Sequence, residues 1–307
     1  MKLYYAPLEG ITTYIYRNTH AQVFGGVDAY FAPFITPSDN EKISIKNMRD
    51  VLPERNSSIN LKVQALTNRA DSFFKFEDMI TDLGYNEANI NIGCPSGTVV
   101  KKGRGAGFLR DPEGIDQFLY EVFEKTGITV SVKTRIGYTS GNEMENLMKI
   151  YNKYPLDVLI IHPRVRDSFY KGIPDMEVFK SSYNVSANKV CYNGDIKSAA
   201  DFNRITSEYP GLDSIMIGRG AVGNPAVFRE IKGGEKLKTA ELVEFTELLI
   251  TNYNEVLKSD TFTLHKLKEI WMYVIDNFPQ EKKLIKAVKK SNNLSDFLRA
   301  VYAFPKL

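Results

Sequence analysis

The sequence has 307 residues, of which 43% are hydrophobic and 25% are charged, a composition typical of a folded globular protein and not of a disordered or fibrous one. Its formal net charge of +3 is too small to predict nucleic-acid binding by itself, so such binding would need a local basic surface. The two cysteines, Cys94 and Cys191, are too few for a disulfide framework, and their spacing matches no structural metal motif.

The first ten residues, MKLYYAPLEG, lack the apolar core of a signal peptide. No apolar run approaches the roughly 18 residues that are needed to span a membrane. We therefore expect a cytoplasmic protein with no membrane partner. We also expect a monomer with no obligatory protein partner and no metal site.

Short apolar or β-branched runs alternate with helical patterns along the first part of the chain. Eight of them are predicted as strands: KLYYAP (2–7), VDAYFAPF (27–34), INLKVQAL (59–66), EANINIGC (87–94), ITVSVKTR (128–135), DVLIIHPR (157–164), NKVCYNGD (188–195) and LDSIMIGR (212–219). Strands that alternate with helices pair in parallel through crossover helices. Eight such units favour a closed (β/α)8 TIM barrel, and a doubly wound sheet of five or six strands is the alternative.

The strand pattern ends at a polar, glycine-containing segment, KGGEKLKTA (232–240). Four helices are predicted after it: 241–259, 262–279, 281–291 and 294–304, with Pro279 closing the second. The sequence therefore predicts a catalytic barrel over residues 1–232 and a small all-helical domain over residues 239–307.

Cys94 follows the fourth predicted strand, within NIGCP, where a barrel places its active site. A lone cysteine is more often a buried small residue, but this one opens a loop at the barrel mouth. A thiol with an ordinary pKa is mostly protonated at neutral pH, so Cys94 is a candidate general acid. Cys191 lies inside a predicted strand, and we expect it in the core.

Two glycine-containing loops follow the last two predicted strands, NGD (193–195) and IGRGAVGNP (217–225). In a TIM barrel this is a common place for a phosphate site, which predicts a phosphorylated cofactor. Gln64, Lys133 and His162, also at strand ends, are the polar groups that would reach a flavin ring. The alternative is that Lys133 and Arg135 are surface residues where their strand leaves the barrel.

Two basic segments are candidates for phosphate contacts with a polyanion. The loop KKGRG (101–105) contributes Lys101, Lys102 and Arg104 beside the candidate thiol. In the segment 281–290, three apolar residues would face inward and leave a basic face of Lys282, Lys283, Lys286, Lys289 and Lys290. Either segment could instead be solvated surface, as short charged runs usually are.

Seven segments together resemble the tRNA-dihydrouridine synthases in order and spacing: APLEG, NINIGCPS, KKGRGAGFL, VKTRIGY, IIHPR, YNGDI and SIMIGRGAVGNP. The resemblance covers about residues 1 to 230. It implies an FMN-binding barrel with a C-terminal helical domain that helps to hold tRNA. The implied reaction is the reduction of specific uridines, in the D-loop of tRNA, to 5,6-dihydrouridine with NADPH as the reductant.

The same resemblance assigns roles to individual residues. It implies that Cys94 protonates the uracil ring, that Asn91 helps to hold the base and that Arg135 lies near it. The positions that match FMN contacts are Pro7, Gln64, Lys133, His162, Asn193, Asp195, Gly218 and Arg219.

Two other functions stay open. An FMN oxidoreductase that acts on a free small molecule, such as a dihydropyrimidine or an enone, would share the barrel but would not need the basic segments; tight RNA binding separates it from the first hypothesis. An RNA-binding scaffold without activity is disfavoured by the intact Cys94 and flavin motifs, and a yellow purified protein would exclude most forms of it.

Overall fold

The computed structural model describes residues 1–37 and 45–305. Its strands are β1 (Lys2–Tyr5), β2 (Ala29–Phe31), β3 (Leu61–Ala65), β4 (Glu87–Ile92), β5 (Thr129–Arg135), β6 (Leu159–His162), β7 (Val190–Tyr192) and β8 (Ser214–Ile217). Each pairs in parallel with the next, and β1 pairs with β8 from Lys2↔Ser214 to Tyr5↔Ile217, which closes the barrel. The eight predicted strands and the TIM barrel are confirmed, and the doubly wound sheet is excluded.

The strands are shorter than predicted because prolines end several of them. The prediction for the second strand ran over 27–34, but β2 ends at Phe31. The backbone N–H of Ala32 still donates to the Lys62 carbonyl oxygen at 2.9 Å, whereas Pro33 has no N–H to continue the ladder. The chain leaves the sheet there and enters a loop at the barrel mouth.

The helices alternate with the strands and then continue alone. In the described residues they are α1 (Tyr14–Val23), α2 (Ile45–Val51), α3 (Ala70–Asp82), α4 (Gly97–Val100), α5 (Pro112–Lys125), α6 (Glu143–Tyr151), α7 (Met176–Val185), α8 (Ala199–Glu208), α9 (Arg219–Gly223), α10 (Val227–Ile231), α11 (Thr239–Leu257), α12 (Asp260–Ile275), α13 (Lys282–Lys290) and α14 (Leu294–Tyr302). Within residues 1–37 and 45–305, three short 3-10 helices cover Pro53–Arg55, Gly105–Arg110 and Arg166–Ser168. Within the part of the chain that the structure describes, none of the helices is long and apolar enough to cross a membrane.

Local sequence signals account for several helix ends. Asp111 caps α5 by accepting a hydrogen bond from the Gly114 N–H at 2.9 Å, and Pro112 occupies the first helical position. The second C-terminal helix was predicted to reach Pro279, but α12 ends at Ile275. After Ile275 the N–H group of Phe278 donates to the Ile275 carbonyl oxygen, three residues back, so the regular helix stops before Pro279. The four predicted C-terminal helices are confirmed, and this one is shorter than predicted.

Alternation along the strands separates two packed regions. Inward-facing residues form a small apolar cluster inside the barrel: Tyr4, Ala6, Ala29, Phe31, Val158, Ile160, Cys191 and Met216. Outward-facing residues such as Ile90 and Ile92 join the larger core beneath the helices. Cys191 is fully buried, as predicted.

The C-terminal helices pack directly on the barrel. The Phe245 ring of α11 lies 5.6 Å from Tyr16 and 5.2 Å from Phe24, and the Tyr253 hydroxyl lies 3.1 Å from Thr13 Oγ1. The larger hydrophobic core extends from the barrel helices into α11 and α12. The boundary between the domains 1–232 and 239–307 stays a prediction, and residues 38–44 and 306–307 of those ranges lie outside the described residues.

Trp271 is the centre of the C-terminal helical segment. It is 1% exposed, and its indole N–H donates to Thr246 Oγ1 at 3.2 Å. Its ring meets Phe297 and Phe304 edge-on, with centroids 5.9 Å and 5.5 Å away. This cluster ties α11, α12 and α14 together.

The predicted basic face on α13 is confirmed as a surface. Leu284 and Val288 are buried, and Ile285 is half-buried. The five lysines, Lys282, Lys283, Lys286, Lys289 and Lys290, are all exposed. We refer to these five residues as the α13 basic face.

Candidate active site

A cleft opens at the carboxyl ends of the strands and encloses about 1320 Å³, including the part open to solvent. It is lined by every cofactor position predicted from the sequence: Pro7, Gln64, Lys133, His162, Asn193, Asp195, Gly218 and Arg219. Cys94, Asn91 and Arg135 line it too. The structure therefore brings these candidates together, and their individual roles stay predictions.

The predicted phosphate contacts Lys101, Lys102 and Arg104 do not line the cleft. They follow α4 in a turn, where the two lysines are exposed. The chain then folds back on the cleft wall, since the Ala106 N–H donates to the Cys94 carbonyl oxygen at 2.9 Å. The segment after the loop thus holds the backbone of Cys94 in place, while the cations of the loop lie outside the cleft.

Asn91 shapes the turn that carries Cys94. Its Oδ1 accepts hydrogen bonds from the backbone N–H groups of Gly93 and Cys94, both at 2.9 Å. Burial raises the pKa of the Cys94 thiol, and the nearby charge of Glu9 raises it further. The thiol is therefore protonated at neutral pH, the state that a proton donor requires.

A chain of buried amides holds Asn91 in place. Asn91 Nδ2 donates to Gln64 Oε1 at 2.7 Å, and Gln64 Nε2 donates to Asn89 Oδ1 at 2.7 Å. Asn89 in turn donates to Ser131 Oγ at 2.8 Å. Sequence analysis missed Asn89, although the alternation of asparagines in EANINI was a signal for it. The network fixes which atoms of Gln64 and Asn91 remain available to a ligand.

Two cations from β5 face the cleft. The side-chain amine of Lys133 forms no hydrogen bond or ion pair with any described residue, and burial, together with the Arg135 charge, lowers its pKa to about 8. Arg135 donates from Nε to the Gly93 carbonyl oxygen at 2.9 Å and from Nη1 to the Val165 carbonyl oxygen at 3.0 Å. Burial lowers its pKa to about 10. These cations favour an anionic ligand because they lack an acidic partner.

Arg164 is a cleft-side residue to which sequence analysis gave no role. Its guanidinium contacts His162 Nε2 at 3.1 Å and both carboxylate oxygens of Asp195. Asp195 Oδ1 also accepts from Arg219 Nη2 at 2.8 Å. The signal in the sequence was an arginine two residues after His162, at the end of β6.

Free backbone donors lie at the ends of β7 and β8. Among the described residues, the N–H groups of Gly194, Asp195, Gly218 and Arg219 donate no hydrogen bond. The side chain of Asn193 is tied down, since its Nδ2 donates to the Met216 carbonyl oxygen at 2.9 Å. Unsatisfied N–H groups next to an arginine suit a phosphate.

Aromatic residues that sequence analysis missed line the mouth of the cleft. The guanidinium groups of Arg135 and Arg219 both lie over the Tyr170 ring, at 5.3 Å and 4.7 Å from its centroid. Phe169 beside it has a φ of 50°, which is strained for a residue with a side chain. Tyr273 reaches the same cleft from α12. Sequence analysis assigned no role to these loop and helix positions.

The sequence model of the family described as "Dihydrouridine synthase (Dus)" matches residues 4–305. The chain belongs to the dihydrouridine synthase family. It is 28% identical over 252 residues to "tRNA-dihydrouridine synthase B" of Pseudomonas putida, covering 80% of this chain and 73% of that protein. It is 27% identical over 265 residues to "Probable tRNA-dihydrouridine synthase 2" of Bacillus subtilis, covering 83% and 79%. The resemblance found in the sequence is confirmed at the level of the family.

Solved structures with low sequence identity to this chain share its fold. The old yellow enzyme from Trypanosoma cruzi has a TM-score of 0.54 at 9% identity, covering 76% of this chain and 88% of that one. A variant of NCR from Zymomonas mobilis has a TM-score of 0.52 at 15% identity, covering 77% and 88%. At such identities the likeness shows the fold alone.

The turn behind Cys94 leads to a prediction about Gly105. Its φ is +54°, and a Cβ would lie 2.9 Å from the Cys94 carbonyl oxygen and 2.9 Å from Val99 Cγ1. We expect Gly105→Ala to lower the free energy of unfolding by about 1–3 kcal/mol, measured by urea denaturation. Gly97→Ala is the matched control, because its Cβ would meet nothing within 4 Å. Equal effects of the two substitutions would contradict this account of the turn.

Proposed function

We propose that this protein reduces D-loop uridines of tRNA to 5,6-dihydrouridine, with FMN as cofactor, NADPH as reductant and Cys94 as general acid. The observation that carries the proposal is that the Cys94 thiol lines the same cleft as Lys133, whose amine has no partner among the described residues, and as the free backbone donors after β7 and β8. Membership of the family supports the reaction, and relatives named as tRNA-dihydrouridine synthases support tRNA as the substrate.

The donor set of the cleft fits FMN. The free N–H groups at the ends of β7 and β8, together with Arg219, suit its phosphate. Gln64 and Lys133 suit the polar edge of the flavin ring, where an amide and a cation match carbonyl and nitrogen atoms. Pro7, His162, Asn193, Asp195 and Gly218 complete the proposed FMN site. Cys94 and Asn91 line the same cleft as the proposed FMN residues, so the base would lie beside the cofactor.

Reduction of the uracil C5–C6 bond requires a hydride at C6 and a proton at C5. Reduced FMN supplies the hydride when it is bound. Cys94 donates the proton from Sγ, because its raised pKa keeps the thiol protonated until the base accepts the proton. The charges of Arg135 and Lys133 then stabilise the thiolate that remains.

We assign base binding to Asn91 and Arg135. After its three hydrogen bonds within the protein, Asn91 retains one Nδ2 hydrogen for a carbonyl oxygen of the base. Arg135 retains Nη2, because its Nε and Nη1 are held by backbone carbonyl oxygens. Both side chains are pre-oriented by these bonds, which lowers the cost of ordering them around the substrate.

A uridine within folded RNA must leave its stack to enter such a cleft. That requires contacts with the phosphate backbone on the surrounding surface. We propose that Lys101, Lys102 and Arg104 contact the RNA near the cleft and that the α13 basic face contacts it further away.

The role of Cys94 predicts a split between the two half-reactions. We expect Cys94→Ala to leave NADPH-dependent flavin reduction nearly unchanged and to slow uridine reduction by roughly 10²- to 10⁴-fold. Single-turnover kinetics with tRNA measures the second step. Cys191→Ala is the control, because this fully buried thiol does not line the cleft. Equal losses in both half-reactions would make Cys94 structural.

The pKa of Lys133, about 8, predicts a pH dependence of FMN binding. As the pH rises through about 8, the lysine loses its proton, so FMN affinity falls by up to about tenfold per pH unit. The phosphate itself is ionised above its second pKa of about 6 and adds no change in this range. Fluorescence titration from about pH 7 to about pH 9 measures the effect.

Lys133→Met should bind FMN more weakly and without this pH dependence. Lys62→Met is the matched control, because Lys62 pairs with Glu87 and lies outside the cleft lining. An unchanged pH profile in Lys133→Met would refute the assignment.

The α13 basic face predicts salt-dependent RNA binding. We expect the double charge reversal Lys286→Glu, Lys290→Glu to raise the KM for tRNA and to lower the slope of log affinity against log salt by about two. NADPH oxidation with an artificial electron acceptor should not change. Lys125→Glu, Lys180→Glu on α5 and α7 is the control, since both lysines are exposed on the barrel. Identical salt slopes in the wild type and the α13 variant would show that the α13 basic face does not contact RNA. The loop 101–105 would then be the main phosphate contact.

A further inference from the structure

The hydrogen bond between Arg164 and His162 determines where the imidazole carries its proton. Arg164 Nη1 lies 3.1 Å from His162 Nε2, and a guanidinium can only donate. Nε2 must therefore accept. Burial, with the charges of Arg135 and Lys133, lowers the pKa of His162 well below its ordinary value, so the ring is neutral. A neutral ring with an accepting Nε2 carries its single proton on Nδ1.

Arg164 cannot turn away from His162 without breaking other bonds. Its side chain is buried, with the residue 3% exposed. Nε donates to the Lys171 carbonyl oxygen at 3.2 Å and Nη2 to the Gly172 carbonyl oxygen at 2.7 Å. The remaining donors meet His162 and the two oxygens of Asp195. All five N–H donors of the guanidinium are used, so its orientation is fixed.

The Nδ1–H of His162 is left for an occupant of the cleft. It donates to no described residue, and His162 lines the cleft. Asp195, by contrast, has both oxygens engaged by Arg164 and Arg219. A carboxylate would also repel a phosphate. His162 can therefore donate a hydrogen bond to a bound anion, whereas the Asp195 carboxylate cannot.

We propose that Arg164 is a positioning residue that fixes His162 as its Nδ1–H tautomer, so that the imidazole donates to an acceptor oxygen of the cofactor. The Asp195 carboxylate serves this arrangement by holding Arg164, so Asp195 contributes to the FMN site through its backbone N–H and not through its side chain. The identity of the acceptor rests on the proposed function. The tautomer itself does not, because it follows from contacts within the chain.

Nitrogen NMR of the full-length protein labelled with ¹⁵N-histidine tests the tautomer without added flavin. The sequence has three histidines, so the long-range proton–nitrogen correlations are few. We expect His162 to be protonated on Nδ1. His20 is an internal control of the opposite tautomer, because its Nε2 lies 2.8 Å from the Pro225 carbonyl oxygen and must donate. An Nε2-protonated His162 in the wild type overturns the proposal without any variant.

Removal of the guanidinium tests its control over His162. In Arg164→Met we expect His162 to lose the single Nδ1–H pattern and to populate the Nε2–H form. Arg166→Met is the matched control from the same loop, since Arg166 contacts Asp167 and the rings of Tyr138 and Phe169 but not His162. An unchanged His162 pattern in Arg164→Met overturns the proposal.

FMN binding tests what the tautomer is for. The side-chain amide of asparagine matches the Nδ1 position of histidine, whereas that of glutamine matches Nε2. We expect His162→Asn to keep FMN affinity within about threefold of the wild type, and His162→Gln to lose about ten- to a hundredfold, as His162→Ala does. Glutamine binding better than asparagine overturns the proposal. Absence of FMN binding in the wild type refutes the proposed function instead, and the NMR result then still decides the tautomer.

Discussion

The pairing of β1 with β8 is the constraint on which the cleft depends. Because the sheet is parallel and closed, the carboxyl ends of all its strands form one ring. Cys94 after β4, Lys133 on β5 and Arg219 after β8 therefore meet, although they are far apart in sequence. An open sheet would have placed the loops after β1 and β8 at different positions along an edge, and the combined site would not exist.

The interior of the barrel divides into two chemical halves. Tyr4, Phe31 and Ile160 belong to an apolar half, whereas β3, β4 and β5 contribute amides, a hydroxyl and Lys133. The polar half orders the thiol turn through Asn91. The arrangement separates the strands that place polar groups inside the barrel from the strands that fill it with apolar side chains, and both are set by which residues occupy the inward positions of each strand.

Charge in the cleft is unbalanced toward the positive. Lys133 and Arg135 have no acidic partner among the described residues, while Asp195 is shared by two arginines. The lowered pKa values of Lys133 and Arg135 reflect the free-energy cost of burying cations without counter-charge. Binding of an anion would remove part of that cost, so the positive charge of the cleft favours an anionic ligand.

The strands and the positions of the cleft residues could be predicted because local pattern determines them. Apolar runs ending in polar residues mark strand ends, and the barrel rule then assigns those ends to one cleft, as it does for Cys94 and His162. The partners of these residues could not be predicted in the same way. The five bonds of Arg164 depend on the path of the loop after β6, and Tyr273 reaches the cleft only because α12 packs beside it. Such contacts are set by tertiary packing, which no local pattern encodes.

The position of Trp271 gives the protein a built-in optical reporter. It is the only tryptophan in the sequence, and it lies in the cluster that joins α11, α12 and α14. Its emission therefore reports the state of the C-terminal helices alone, whereas the 17 tyrosines report the whole chain. Comparing tryptophan and tyrosine emission during unfolding reveals whether the C-terminal helices unfold with the barrel or before it. The comparison therefore shows whether the residues that line the cleft belong to one cooperative folding unit or to two.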